Sequence, residues 1–184
     1  MLWRFDDYVF HLLFHGGALR GGRAIELTAA VLSALGEGWS MLAIVPLAFL
    51  PRTRRFAAWL TGTLAVTGIL VFALKALIGR GRPFTVYTGF ERLLLDSPTD
   101  HSMPSGHAAG SFAFALFVTH VLLARSPRPG YAVAGSIALI VLAACIGVSR
   151  VVLGFHFPLD VVAGAVLGGT MGGLAGRRFS RARV

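Results

Sequence analysis

Charge is scarce in this chain. Asp and Glu number 8 in 184 residues, and charged residues of both signs make up 14%. Lysine is nearly absent: of 17 basic residues, sixteen are Arg and the other is Lys75. Cysteine is reduced to Cys145, inside an apolar run, which excludes a disulfide framework and a Cys-based metal site. The acids are too few and too dispersed for a two-metal phosphatase, so no metal and no other cofactor is expected. Arg4, Asp6 and Asp7 stand where a cleavable signal peptide needs its apolar core, and none is expected.

What the chain has instead is hydrophobic length. Apolar residues make up 55%, and the mean hydropathy is +0.73. By length alone it fits one soluble domain, but its apolar runs are too long and too many. The pattern predicts an all-α, polytopic transmembrane helical bundle forming one domain over residues 1–184. The formal net charge of +9 raises nucleic acid as a partner. The basic residues sit in short clusters between apolar runs, not along one face, so nucleic acid is not expected.

Residues 2–15 mix Trp3, Phe5, Tyr8 and Phe10 with Asp6, Asp7, His11 and His15. The segment is too short and charged to span, and 1–23 is read as an interfacial N-terminal piece. His11 and His15 have metal-ligand spacing but no third ligand nearby, so no metal is assigned to them. Gly16, Gly17, Gly21 and Gly22 make a flexible link.

Residues 27–50 are apolar apart from Gly36-Glu37-Gly38. They read either as one span with a buried acid or as a short interfacial helix followed by a tilted span. Glu37 is a functional candidate by its setting, although a helix-packing or loop role is the reading adopted for it. Further spans are predicted over 56–78, 104–124, 131–148 and 158–176. That makes five, with six as the alternative. Pro158 is placed in the first turn of the last helix, where its missing N–H costs nothing. Residues 84–103 form a polar loop of a length suited to a substrate-contacting lid. Gly164, Gly168, Gly172 and Gly176, four apart, form a ridge for close helix approach. The ridge is expected to pack inside the bundle, against the third or fourth span, with a homodimer seam as the competing reading.

Arg52, Arg54, Arg55, Arg125, Arg128, Arg177, Arg178, Arg181 and Arg183 fall by alternation on one side. The positive-inside rule makes that side cytoplasmic, with the C-terminus, in the cell (inner) membrane. Residues 75–107 and 149–160 then share the extracytoplasmic face. They bring together Lys75, Arg82 and Arg150 as cations, Ser105 and Gly106 at a helix start, and His107, His156 and Asp160. Three cations and a helix N-terminus describe a pocket for a phosphate dianion and its more charged transition state. Two histidines supply a nucleophile and a general acid. Asp160, four residues after His156, modestly favours His156 as the nucleophile.

Three motifs carry a resemblance. Six residues separate Lys75 from Arg82-Pro83. Pro104-Ser105-Gly106-His107 follows. Five residues separate Ser149-Arg150 from His156, and three separate His156 from Asp160. In order, spacing and membrane setting these resemble the signature motifs of the type 2 phosphatidic acid phosphatase superfamily, with no departure at any motif position. The resemblance implies a metal-independent lipid phosphohydrolase. It implies His156 as nucleophile through a phosphohistidine, Asp160 orienting it, and His107 as acid and then base. It implies that Lys75, Arg82, Ser105, Gly106 and Arg150 hold phosphate. The implied partners are a lipid phosphate or pyrophosphate substrate and the surrounding membrane lipids.

Within the family, small size and minimal loops resemble undecaprenyl pyrophosphate phosphatases, the preferred expectation. Phosphatidylglycerophosphate or phosphatidic acid phosphatase, lipid A phosphatase and lipid phosphotransferase are the alternatives. The related vanadium haloperoxidases are larger and soluble, which argues against them here. A non-enzymatic lipid-binding or transport protein would need only the cations, so both histidines and Asp160 speak against it.

Overall fold

The computed structural model describes residues 2–14, 22–37, 46–47, 49–87 and 98–182. It contains α1 (Leu2–Leu13), α2 (Gly22–Leu35), α3 (Arg54–Ile78), α4 (Pro83–Val86), α5 (Gly106–Arg125), α6 (Pro129–Val152) and α7 (Pro158–Arg181). Among the described residues there is no strand, as the apolar periodicity predicts. Four helical stretches are long and apolar enough to cross a membrane: Arg54–Val86, Gly106–Arg125, Pro129–Val152 and Pro158–Arg181. The further span expected over 27–50 lies largely outside the described residues. Its described start is α2, whose 14 residues give about 21 Å of helix, too short to cross a membrane. The expectations for His15, the Gly16-Gly17 link, residues 88–97 of the polar loop and Arg183 also fall outside the described residues.

Local chemistry sets the helix ends. α3 stops at Gly79, which adopts a left-handed φ of 64° and returns its N–H to the Lys75 carbonyl at 3.0 Å. Ser105 caps α5, its Oγ accepting the Ala108 N–H. α6 runs one turn further than expected, because Gly154 (φ 72°), and not Ser149, breaks it. That places Arg150 in the last turn of α6. α7 starts at Pro158 as expected, and Asp160 accepts the Phe157 N–H at 2.9 Å. At its other end α7 continues through Arg177 and Arg178 to Arg181.

The bundle is organised on α5 and α7. Gly164, Gly168, Gly172 and Gly176 are all buried on one face of α7. They face the backbone of Ser105, Ala109, Ala113 and Phe117, which have the same four-residue spacing on α5. A Cβ at Gly168 would sit 2.8 Å from Ala109 Cα, and one at Gly172 2.8 Å from Ala113 Cα. The ridge therefore packs inside the chain, as preferred. A homodimer seam through these four glycines is not shown: α5 of the same chain covers this face.

Aromatic residues hold each end of the bundle. At one end Phe56, Phe117 and Phe179 contact one another, with the Arg125 guanidinium 4.5 Å from the Phe179 ring centroid. This end carries the arginine clusters. At the other, Phe10, Tyr87 and Phe157 stack together, with the Arg80 guanidinium 4.1 Å from the Phe157 centroid. α1 is fastened here through Asp6, which is buried. Asp6 accepts from Arg80 at 2.6 Å and from the Leu159 N–H at 2.8 Å. The outward face of α1 is left apolar, with Phe5, Tyr8 and Leu12 exposed.

Candidate active site

The C-terminal ends of α3 and α6 and the N-terminal ends of α5 and α7 meet at the Phe157 end of the bundle. Between them lies a cavity of about 520 Å³. Lys75, Arg82, Gly106, His107, Arg150 and His156 all line it, so six of the eight residues selected from sequence share one cavity. Gly68, Val71, Phe72 and Phe155 are its apolar lining, and Glu37, Pro98 and Asp100 complete it.

His156 is delivered by the reversal at Gly154, after which the Phe155 and His156 N–H groups both return to the Arg150 carbonyl. The imidazole is 2% exposed. Its Nδ1 lies 3.6 Å from Asp160 Oδ2, too long for a hydrogen bond. Ser102 closes that gap: its Oγ donates to Asp160 Oδ2 and lies 3.4 Å from His156 Nδ1. On the other side, Nε2 faces Arg82 Nη1 at 3.4 Å. A guanidinium only donates, so Nε2 is the acceptor and Nδ1 carries the proton. Burial pushes the His156 pKa down to about 4, against the opposing pull of Asp160.

Asp160, linked to His156 through Ser102, does not line the cavity and is 0% exposed. Arg80 Nη1 donates to it at 2.6 Å and holds Asp6 with its other arm. Ser105 is likewise fully buried and caps α5 without reaching the resting cavity. The Asp160 carbonyl accepts the Ser105 N–H at 2.9 Å, which ties the start of α5 to the start of α7.

The cations are held apart by separate anchors. Arg82 donates through Nη1 to the Phe155 carbonyl and through Nε to the Asp100 carbonyl. Its Nη2 reaches Asp100 Oδ1 at 2.5 Å, and Lys75 Nζ lies 2.8 Å from Asp100 Oδ2. Asp100 thus sits on two of the three cations. Burial opposes its charge, but the bonds from Lys75 and Arg82 win and bring its pKa down to about 2. Arg150 bonds Ser33 Oγ and stacks on Phe155, while its buried Nε has no hydrogen-bond partner among the described residues. Such an orphan donor beside a cavity suits an anionic ligand.

Four participants escaped sequence reasoning as site residues: Arg80, Ser102, Asp100 and Asp6. Arg80 had a signal in Gly79-Arg80-Gly81-Arg82, a charge held at the mouth of a span. Ser102 and Asp100 had only their place just before Pro104.

Fold and site together define a polytopic membrane protein with a histidine-bearing, cation-lined pocket at one end of its bundle. The PAP2 superfamily model matches residues 56–183, and the chain belongs to that superfamily. It is 34% identical over 170 residues to a decaprenylphosphoryl-5-phosphoribose phosphatase of Mycobacterium tuberculosis, covering 85% of this chain and 84% of that protein. It is 33% identical to an undecaprenyl-diphosphatase of Sulfolobus acidocaldarius, over 74% of this chain and 62% of that one. In fold it is similar to the PAP2 type phosphatidylglycerolphosphate phosphatase of Bacillus subtilis. That likeness has a TM-score of 0.77 at 23% identity, over 95% of this chain and 84% of the other.

Proposed function

We propose that this membrane lipid phosphatase acts on a phosphate or diphosphate carried by a polyprenyl chain. The observation that carries the reading is the mixed lining of the cavity: cations and histidines together with Gly68, Val71, Phe72 and Phe155. Polyprenyl-linked substrates in the names of the two relatives support it. The preferred form remains undecaprenyl pyrophosphate, as the sequence suggests.

In this reading His156 Nε2 attacks phosphorus while Asp160 and Ser102 hold the proton on Nδ1. The bond to the leaving oxygen breaks, and His107 gives that oxygen a proton. Water then attacks the phosphohistidine, His107 takes its proton, and His156 is released with inorganic phosphate. Lys75, Arg82 and Arg150, with the Gly106 N–H, stabilise the charge that builds on the phosphoryl oxygens. The depressed pKa of His156 supports the nucleophile's role, since it keeps the ring neutral at pH 7. Among the described residues no three His, Cys, Asp or Glu side chains group as a metal site, which supports activity in the presence of chelator. The arginine-rich end opposite the cavity supports a cytoplasmic C-terminus and an extracytoplasmic site in the cell membrane. The apolar outward face of α1 supports an interfacial position for that helix.

The test is phosphate release by the purified protein from undecaprenyl diphosphate, decaprenylphosphoryl-5-phosphoribose, phosphatidylglycerophosphate and a lipid A 1-phosphate. The highest kcat/KM is expected on a polyprenyl substrate. Fastest turnover of phosphatidylglycerophosphate, with the polyprenyl compounds inert, sinks the reading.

A further inference from the structure

The residue at the end of α2 that sequence assigned to helix packing lies against the reacting groups. Glu37 Oε1 is 3.2 Å from His107 Nε2. The fit is built on both sides of that atom. Gly36, next in the chain, lies against the same ring, and a Cβ there would come 3.2 Å from His107 Cδ2 and 2.5 Å from Ile146 Cγ2. Any residue other than glycine would push the chain off α5 and α6, and the carboxylate with it. Glu37 also lines the cavity, and its side chain is 44% exposed against 17% for His107. It lies outside residues 56–183, the portion matched by the superfamily model.

The charges around His107 are unequal in sign. Lys75 reaches the cavity from α3, Arg82 from the turn before α4, and Arg150 from α6. His156 faces it from the turn before α7. Asp100 comes from the segment before α5, but its two oxygens are taken by Lys75 and Arg82. Glu37 is therefore the carboxylate in contact with the His107 ring.

We propose that Glu37 is a positioning residue for His107, and this rests on the phosphatase reading above. Its carboxylate accepts the Nε2 proton, fixes the ring's tautomer and orientation, and leaves Nδ1 for the leaving oxygen. In the first step the imidazolium gives its Nδ1 proton to that oxygen as the P–O bond breaks and the bond from phosphorus to His156 forms. In the second step neutral Nδ1 takes a proton from water as the water oxygen bonds to phosphorus and His156 departs. Glu37 neither gains nor loses a proton. It stabilises the charged ring in the state that must donate.

Glu37→Gln and Glu37→Asp in the full chain test this, with two substrates. One is decaprenylphosphoryl-5-phosphoribose, whose sugar alkoxide leaves only with a proton. The other is p-nitrophenyl phosphate, whose leaving group departs without one. On the lipid, kcat for Glu37→Gln should fall at least ~10-fold, part of the ~10²–10⁴-fold a positioned acid contributes, with KM unchanged. In single turnover with enzyme in excess, p-nitrophenolate release should keep its wild-type rate. Glu37→Asp should recover part of the lipid activity. A Glu37→Gln protein that loses both reactions alike, or neither, overturns the proposal. Wild-type protein that releases phosphate from no lipid at all overturns the functional reading instead.

Discussion

Two imidazoles face this cavity, and each has a carboxylate behind it. The pair formed by His156 and Asp160 is dry, four residues apart in sequence, and fixed by Ser102, Arg80 and the first turn of α7. The pair formed by His107 and Glu37 is half-exposed and joins the ends of two helices seventy residues apart, with Gly36 against the same ring. The difference follows from the tasks proposed for them. A nucleophile needs one fixed ring nitrogen aimed at phosphorus. An acid that later becomes a base must exchange protons with the leaving group and with water, so it needs a wetter setting.

The largest effects should separate the two pairs. His156→Ala should lower turnover by ~10⁴-fold, the upper end of what a positioned group contributes, and abolish phosphate labelling of the protein. His107→Ala should cost less, ~10²-fold, and should trap label on His156 when p-nitrophenyl phosphate is the donor. Quenched-flow labelling with ³²P distinguishes them; label that persists in His156→Ala shows that the pairs have been assigned in reverse.

Gly168→Ala comes next, because it moves both pairs at once. Its methyl group would force α7 from the Ala109 backbone, and ~1 Å of misplacement at a reacting centre can cost ~100-fold. A loss in kcat of tens-fold with an unchanged elution volume on size exclusion is expected. Near wild-type kcat would show that the seam does not set the distance between the histidines.

Asp100→Asn should act on neither pair, only on the cations between them. Lys75 and Arg82 are both engaged by Asp100, so the substrate phosphate has to displace it. Inorganic phosphate should inhibit the Asn variant a few-fold more tightly, roughly the ~0.2–1 kcal/mol of a partly exposed pair. Weaker inhibition would mean that Asp100 orients the cations and does not compete for them. The pKa is lowered in the folded protein, so the pairing is fully present above the ordinary value of 3.8 and lost as pH falls through about 2. It should thus contribute nothing to the pH profile above pH 5. The smallest expected effect is that of chelator, with turnover unchanged in EDTA.

The dry pair was legible in the sequence because its determinants are local. Pro158 announces the first turn, and a carboxylate two residues on can reach back to the turn that holds the histidine. The glycine ridge was legible for the same reason, since four-residue spacing marks one helix face whatever packs on it. The wet pair was not. Nothing in Gly36-Glu37 shows that the end of α2 will be carried to the start of α5, and tertiary packing alone decides that. Ser102 was hidden because a single serine in a polar loop carries no periodicity. The end of α6 was misplaced because polar Ser149-Arg150 looks like a loop, while the actual stop is the left-handed Gly154.

The glycine seam has a mechanical consequence. Side chains absorb a displaced neighbour by changing rotamer, but a glycine face against backbone has no rotamers to change. Over about three turns α5 and α7 lie backbone to backbone, with His107 and Asp160 at the same end. A bulky lipid entering the cavity cannot make room by rotamer change along that seam, whereas lining side chains such as Phe72 of α3 have rotamers to change. The gauge of this bundle therefore resides in α5 and α7.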